Sequence, residues 1–331
     1  MNVVVTGGAG YIGAHVVRLL LERGDEVTVV DDLSTGQAAR TGRAHLLRAD
    51  VADPATIPAL TEAMHGADAV IHFAARKQVG ESVARPAWYF QQNVGGLANV
   101  IVAMERAAVG KLVFSSSAAV YGMPDVPQVT EATPLAPINP YGQTKVVGEW
   151  MAADAVRAWG LRLASLRYFN VAGAGWPELG DPAVLNLVPM VLEKLADGAR
   201  PMIFGDDYPT SDGTCVRDYI HVLDLAEAHL AAIDYLDLPD GDRPESVFNV
   251  GTGTGASVRE VIDALGAVSG LDVTPVVEPR RPGDPPYLVG DPSRIADVLG
   301  WHASRTLPEI VSSAWKAWQA GPNPIPPPPM P

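Results

Sequence analysis

Tyr141 and Lys145 stand four positions apart in the segment Pro140-Tyr-Gly-Gln-Thr-Lys145. That spacing stacks two side chains on one face of a helix. A phenol titrates near pH 10 and acts as a base at neutral pH only beside a cation that favours its ionised form. An ammonium one turn away is placed to do this, so the pair can take and return a proton. The spacing alone is common among ordinary helices. About 24 residues earlier, however, the run Ser115-Ser116-Ser117 ends an apolar, strand-like segment, Lys111–Ser115. Ligands of open α/β sheets lie beyond the carboxyl ends of the strands, where the Ser117 hydroxyl can hold or relay a substrate proton. Serine runs are also ordinary loop material. The combination of Ser117, Tyr141 and Lys145 is what marks a proton-transfer site.

The elements that must position this set begin at the N-terminus. Residues 2–6 read as a buried strand, Gly7-Gly8-Ala9-Gly10-Tyr11-Ile12-Gly13 as a glycine turn, and Ala14–Leu21 as an amphipathic helix. Strand, glycine turn and helix together form a pyrophosphate cradle, because the bare backbone approaches the anion at a helix N-terminus. Gly7, Gly10, Tyr11, Ile12 and Gly13 are the expected contacts. Glu26–Val30 is a second strand, closed by Asp31 and followed by Asp32. A carboxylate there accepts from adenosine ribose hydroxyls and repels a 2′-phosphate, which predicts NAD over NADP. Asp50 and Val51 follow a third strand, at the adenine. Phe73-Ala74-Ala75 closes a fourth, Ala69–Phe73, with small residues that let a cofactor approach.

Strand and helix signals alternate as far as residue 170, with a long helix at 86–107 and another at 141–158. The chain then changes character, with small and turn-forming residues at 172–186 and helices at 187–195, 222–236 and 257–269. Strands are expected at 200–205, 216–220, 247–250 and 272–277. The expected fold class is α/β, a Rossmann-type doubly wound parallel sheet with a smaller α/β substrate-binding C-terminal domain. The expected boundaries give residues 1–170, with a returning segment near 214–236, to the cofactor and 171–213 with 237–320 to the substrate. Residues 321–331 form a proline-rich tail.

The 331 residues are 47% apolar, enough for a full core, and no apolar run is long enough for a membrane span. The first strand starts at Asn2, leaving no room for a signal peptide, and one cysteine excludes an internal disulfide, so a cytoplasmic enzyme is expected. A net charge of −14 without a basic tract argues against nucleic acid. The seven histidines are scattered, and no metal is expected.

With these segments in view, residues 1–318 resemble the extended short-chain dehydrogenases, and within them the UDP-glucose 4-epimerase family. The resemblance is carried by Val5–Gly13, His72–Ala75, Val79–Ser82, Phe114–Ser117, Tyr141–Lys145, Leu166–Asn170 and, most diagnostically, Asp212–Val222. It implies that Tyr141, as phenolate, takes the proton of a sugar 4-hydroxyl directly or through Ser117, that NAD accepts and returns a hydride, and that Lys145 lowers the phenol pKa. It implies that Lys77, Asn93, Ser115 and Tyr168 also contact NAD. Asn170, Asn186, Leu187, Met202, Phe204 and Asp284 would line a UDP-sugar, with Arg217 and Arg281 at its diphosphate. The partners implied are a UDP-sugar and a second copy of the chain, paired through helices 86–107 and 141–158.

Departures from the family pattern are few. Ala119 stands where threonine is common and Cys215 where glycine is frequent; the loop before Asn186 is short. The specificity position four residues after Asp284 is Leu288, intermediate between the tyrosine associated with excluding N-acetylated sugars and the small residue associated with admitting them. A 4,6-dehydratase or decarboxylase needs acidic groups where Ala118 and Ala119 stand, and alanine transfers no proton. A hexuronic-acid 4-epimerase is a closer alternative. A catalytically silent NAD-binding scaffold predicts loss of Ser117, Tyr141 or Lys145, and all three are present.

Overall fold

In the computed structural model the described residues are 1–239, 241, 243, 245–281 and 283–322. Most of the expected proline tail, residues 323–331, and Pro282 of the basic loop therefore lie outside the described residues. From the N-terminus, β1 (Asn2–Thr6), α1 (Tyr11–Arg23), β2 (Glu26–Asp31), β3 (His45–Arg48), α2 (Ile57–Met64) and β4 (Ala69–His72) alternate. A short α3 (Val79–Ala84) precedes a continuous helix made of α4 (Pro86–Tyr89), a π turn (Phe90–Gly95) and α5 (Gly96–Ala107). Next come β5 (Lys111–Ser115), β6 (Gln128–Val129), α6 (Pro140–Trp159), β7 (Arg162–Tyr168), β8 (Asn170–Ala172), α7 (Leu187–Ala196) and β9 (Met202–Phe204). The remainder is β10 (Val216–His221), α8 (Val222–Leu236), β11 (Val247–Val250), β12 (Gly255–Ser257), α9 (Val258–Ser269), β13 (Val276–Glu278), β14 (Tyr287–Gly290), α10 (Ser293–Leu299) and α11 (Leu307–Gln319).

Seven strands form one parallel sheet in the order β11-β7-β5-β4-β1-β2-β3. Val3, Val4 and Val5 are all fully buried, as expected of a strand covered on both faces. One face packs Val16, Val17 and Leu20 of α1 with Leu225 and Ile233 of α8. The other packs Leu60 of α2, Met104 of α5 and Ala152 of α6. Chain order runs outward in both directions from β1, so the switch point lies between β1 and β4 at their carboxyl ends.

A second sheet follows the order β12-β10-β14-β6, with β8 added to β10, and β9 pairs with β13. These strands have two to six residues, most too short for a period-2 pattern to register. The strand expected at 200–205 is trimmed to Met202–Phe204, and the one expected at 272–277 lies further on, at Val276–Glu278. The expected boundary at 237 also gives way, because β11 forms an edge of the seven-stranded sheet and Ile295 and Trp301 join its core.

Candidate active site

The cofactor side is built from backbone. Gly7 has φ +71°, and a Cβ on it would lie 2.6 Å from the Ala74 nitrogen. A Cβ on Gly13 would lie 2.3 Å from the Gly7 carbonyl oxygen, so any side chain there drives α1 off the turn. Gly10 caps α1 with no side-chain hydrogen bond, leaving first-turn N–H groups for an anion. The Tyr11 phenol donates to the Gly173 carbonyl at 2.5 Å and is buried, so Tyr11 offers a ligand only its backbone. Asp31 accepts from Ala9 N at 3.0 Å and Leu33 N at 2.9 Å. A carboxylate has about four acceptor positions, so room remains for ribose hydroxyls. This cradle fits a dinucleotide.

Several expected cofactor contacts are spent internally. Asp32, expected to add negative charge beside Asp31, forms an ion pair with Arg76 at 3.1 Å. Asn93 faces inward from the π turn, and its amide holds both polar groups of the Arg76 backbone and the Thr144 hydroxyl. The Ser115 hydroxyl, fully buried, meets His229 Nε2 at 3.1 Å and the Tyr168 phenol. Val51 packs its side chain in the core, against Gly96. Asp50 turns back to accept from Ala52 N, the Phe73 ring lies 4.7 Å from that of His229, and Lys77 is exposed.

The proton-transfer set does assemble. Asn139 caps α6 by accepting from Gly142 N at 2.9 Å, which starts the helix at Pro140 and puts Tyr141 in its first turn. Ser117, whose Oγ accepts from Ala119 N at 3.2 Å, acts on the phenol to favour its ionised form. Lys145 lies one turn along the same helix. Its ammonium donates to the Ser115 carbonyl at 2.8 Å and lies over the Phe114 ring, and burial brings its pKa down to about 8. Burial pushes the Tyr141 phenol up, with only the Ser117 hydrogen bond opposing it. In the protein alone, burial therefore disfavours the phenolate. The buried histidines are poor alternative bases: burial lowers His72 to about 3 and His15, His221 and His229 to about 4, too weakly basic to hold a proton at neutral pH.

A network absent from the sequence reading fixes this geometry. Glu149, one turn beyond Lys145, takes a bidentate pair from Arg167 at 2.9 and 2.6 Å and a hydrogen bond from Ser116 at 2.5 Å. Arg167 continues to the Tyr121 phenol, which donates to Asn249. The network ties α6 to the ends of β5, β7 and β11 and includes Ser116, next in sequence to Ser117. The i+4 spacing of Glu149 from Lys145 was the available signal.

On the other side, a cavity of about 250 Å³ gathers Asn170, Asn186, Leu187, Met202, Phe204, Arg217, Arg281 and Asp284. All eight expected sugar-side residues therefore line one space. It is lined by Asn170, at the start of β8, two residues beyond the Tyr168 that ends β7. The Arg217 and Arg281 guanidiniums share Asp284, at 3.5 and 3.0 Å, and Arg281 lies 4.7 Å over the Phe204 ring. Two cations against one carboxylate leave net positive charge for an anion. Cys215 and Tyr219 also line the cavity; sequence reasoning passed over them, although alternation along a strand gives them the face of Arg217. Leu288, paired opposite Arg217 in β14, packs with Ala118, Val146 and Phe169. Among the described residues no helix is long and apolar enough to cross a membrane.

Residues 3–251 match the NAD dependent epimerase/dehydratase family. The chain is 42% identical to the UDP-glucose 4-epimerase of Lactobacillus helveticus over 98% of both chains. Among solved structures, it is similar to the UDP-glucose-4-epimerase of Stenotrophomonas maltophila with bound NAD and formylated UDP-arabinopyranose. The TM-score is 0.90, with 42% identity over 97% of this chain and 98% of that one. The Bifidobacterium longum UDP-glucose 4-epimerase in complex with NAD+ and UDP gives a TM-score of 0.89, with 38% identity over 98% and 99%.

Proposed function

The chain belongs to the NAD dependent epimerase/dehydratase family, and from that premise we propose that it is a UDP-glucose 4-epimerase, interconverting UDP-galactose and UDP-glucose with NAD. The observation that carries this reading is the cavity lined together by Asn170, Asn186, Leu187, Met202, Phe204, Arg217, Arg281 and Asp284, the eight residues that the family resemblance assigns to the lining of a UDP-sugar site. Near-full-length similarity to UDP-glucose 4-epimerases supports it.

Arg217 and Arg281 bind the diphosphate by exchanging part of their hold on Asp284. Asn186 and Phe204 line the same space for the rest of the nucleotide. Tyr141 takes the 4-hydroxyl proton, directly or across Ser117, and returns it at the end of the cycle. Bound NAD supplies the hydride acceptor at the sugar C4 and a positive charge that favours the phenolate. Lys145, anchored on the Ser115 carbonyl, fixes the floor beneath that base. The backbone cradle at Gly7–Gly13 and the carboxylate of Asp31 hold the pyrophosphate and ribose.

The pairing surface is read from α6, where Trp150 is 61% exposed. Together with the exposed Val156 on the same helix, it fits a homodimer joined through α5 and α6. Location in the cytoplasm agrees with the lack of a spanning helix among the described residues. The test is incubation of the purified protein with UDP-galactose, without added NAD, and chromatography for UDP-glucose. Conversion is expected; no conversion even after NAD is supplied overturns the substrate assignment.

A further inference from the structure

The turn after β2 and the turn after β4 stand on either side of β1 in the sheet, so a bond between them passes over the glycine turn. Such a bond exists. The Arg76 guanidinium gives Nη2 to Asp32 Oδ2 at 3.1 Å, Nη1 to Ser34 Oγ at 2.9 Å and Nε to Gln92 Oε1 at 3.3 Å. It also lies 5.3 Å from the centre of the Trp88 ring. Asn93 grips the peptide of Arg76 from below, at 2.7 and 3.0 Å. Both ends of the bond are thus held: Asp32 Oδ1 accepts from Ser34 N and Oγ, and Arg76 is held through side chain and backbone.

The β2 end carries strain as well. Leu33 has φ +60°, a left-handed conformation that costs a non-glycine residue on the order of 1 kcal/mol. It is kept there by Asp31 on its N–H and by the pinned Asp32 beyond it. Asp31, on the same turn, is the carboxylate left facing the ribose.

We propose that Arg76 and Asp32 form a clasp across the adenosine half of the cofactor, and that opening this clasp sets the rate at which NAD leaves. The inference rests on the cofactor assignment but not on the sugar. In this arrangement Arg76 is a positioning residue. It closes the mouth between two loop tips, and its pairing removes Asp32 as a free charge while Asp31 receives the ribose. With side chains 23% and 29% exposed, the pair is partly screened, so release is salt-dependent.

The test follows NAD bound to the purified chain as it dissociates into a solution containing an NAD-hydrolysing enzyme, at low and high salt. The variants are Arg76→Gln, Asp32→Asn, both together, and Arg76→Lys. Either neutral single variant is expected to speed release about fivefold and to erase its salt dependence. The double variant is expected to match the singles, because one bond is being removed twice, and Arg76→Lys to recover part of the retention. Turnover lost without added NAD should return when NAD is supplied, which a misfolded variant would not show. Unchanged release in both singles, or a double variant equal to the product of the singles, overturns the clasp. A wild-type chain that binds no NAD overturns the cofactor assignment and the clasp together, whereas failure to turn over UDP-galactose leaves the clasp standing.

Discussion

The two halves of the site are made differently. The cofactor half is cut from main chain: a Cβ on Gly7 or Gly13 meets backbone atoms within 2.6 Å, and its ligand groups are N–H groups at a helix start. The sugar half is made of side chains on short strands and loops, and its two arginines are already bound to Asp284. The first can bind only by being rigid, because backbone does not change rotamer. The second can afford exchange, since each arginine trades one anion for another at modest net cost. Tyr141 stands at the seam between them.

Substitutions should divide along that line. The largest effect is expected at the seam: Tyr141→Phe removes the proton carrier and should lower kcat about 10³-fold while NAD remains bound. Retained turnover would remove the tyrosine from the chemistry. Gly13→Ala should follow in size, destabilising the fold by roughly 3 kcal/mol and abolishing NAD retention. Thermal melting and bound-NAD content together measure this, and a stable variant with bound NAD would mean the cradle is not rigid.

Lys145 lies in the rigid half and has a calculable sign. Its folded pKa, about 8, lies below its ordinary 10.5. Below pH 8 the buried charge costs stability in full. Between pH 8 and 10.5 the unfolded chain holds a proton that the folded chain has released, so stability rises with pH. Lys145→Met should therefore stabilise the cofactor-free protein by on the order of 2 kcal/mol at pH 7. That advantage should shrink toward pH 10.5, while activity is lost. Melting curves across this range test it, and a pH-independent difference would contradict it.

In the sugar half, Arg217→Ala, nearly buried and hydrogen-bonded to the Pro285 carbonyl at 2.7 Å, should raise KM for the UDP-sugar about 30-fold. Arg281→Ala, whose side chain is 57% exposed, should raise it only about threefold because water screens it. Equal effects would mean that the two arginines do not divide buried and rim roles.

What could be read beforehand follows the range of the interaction. The glycine turn, the α6 pair and the valine-rich strands are local patterns, and each appears where its spacing puts it. The pairing of Asp32 could not be read because its partner Arg76 is 44 residues away. The Ser115 hydroxyl's partner could not be read because a strand end has two faces, and His229 comes from α8. The membership of β11 in the main sheet depends on β7, which no property of residues 247–250 announces. The sugar-side residues were recovered together through family resemblance, since strands of three residues carry no readable period.

The π turn at Phe90–Gly95 makes chain length itself a functional quantity. An α-helix rotates about 100° per residue, and the wide turn accommodates one residue more than an α turn would. Asn93 points inward from it, at once beneath Arg76 and beside Thr144. A chain one residue shorter here would close the turn as ordinary helix and swing every side chain on one flank through about 100°. Substitutions in this helix can be absorbed one at a time, but a single deletion would set the cofactor loop and the catalytic helix out of phase. Lineages that keep this chemistry are expected to hold Asn93 and the length of the segment while its outward-facing positions vary.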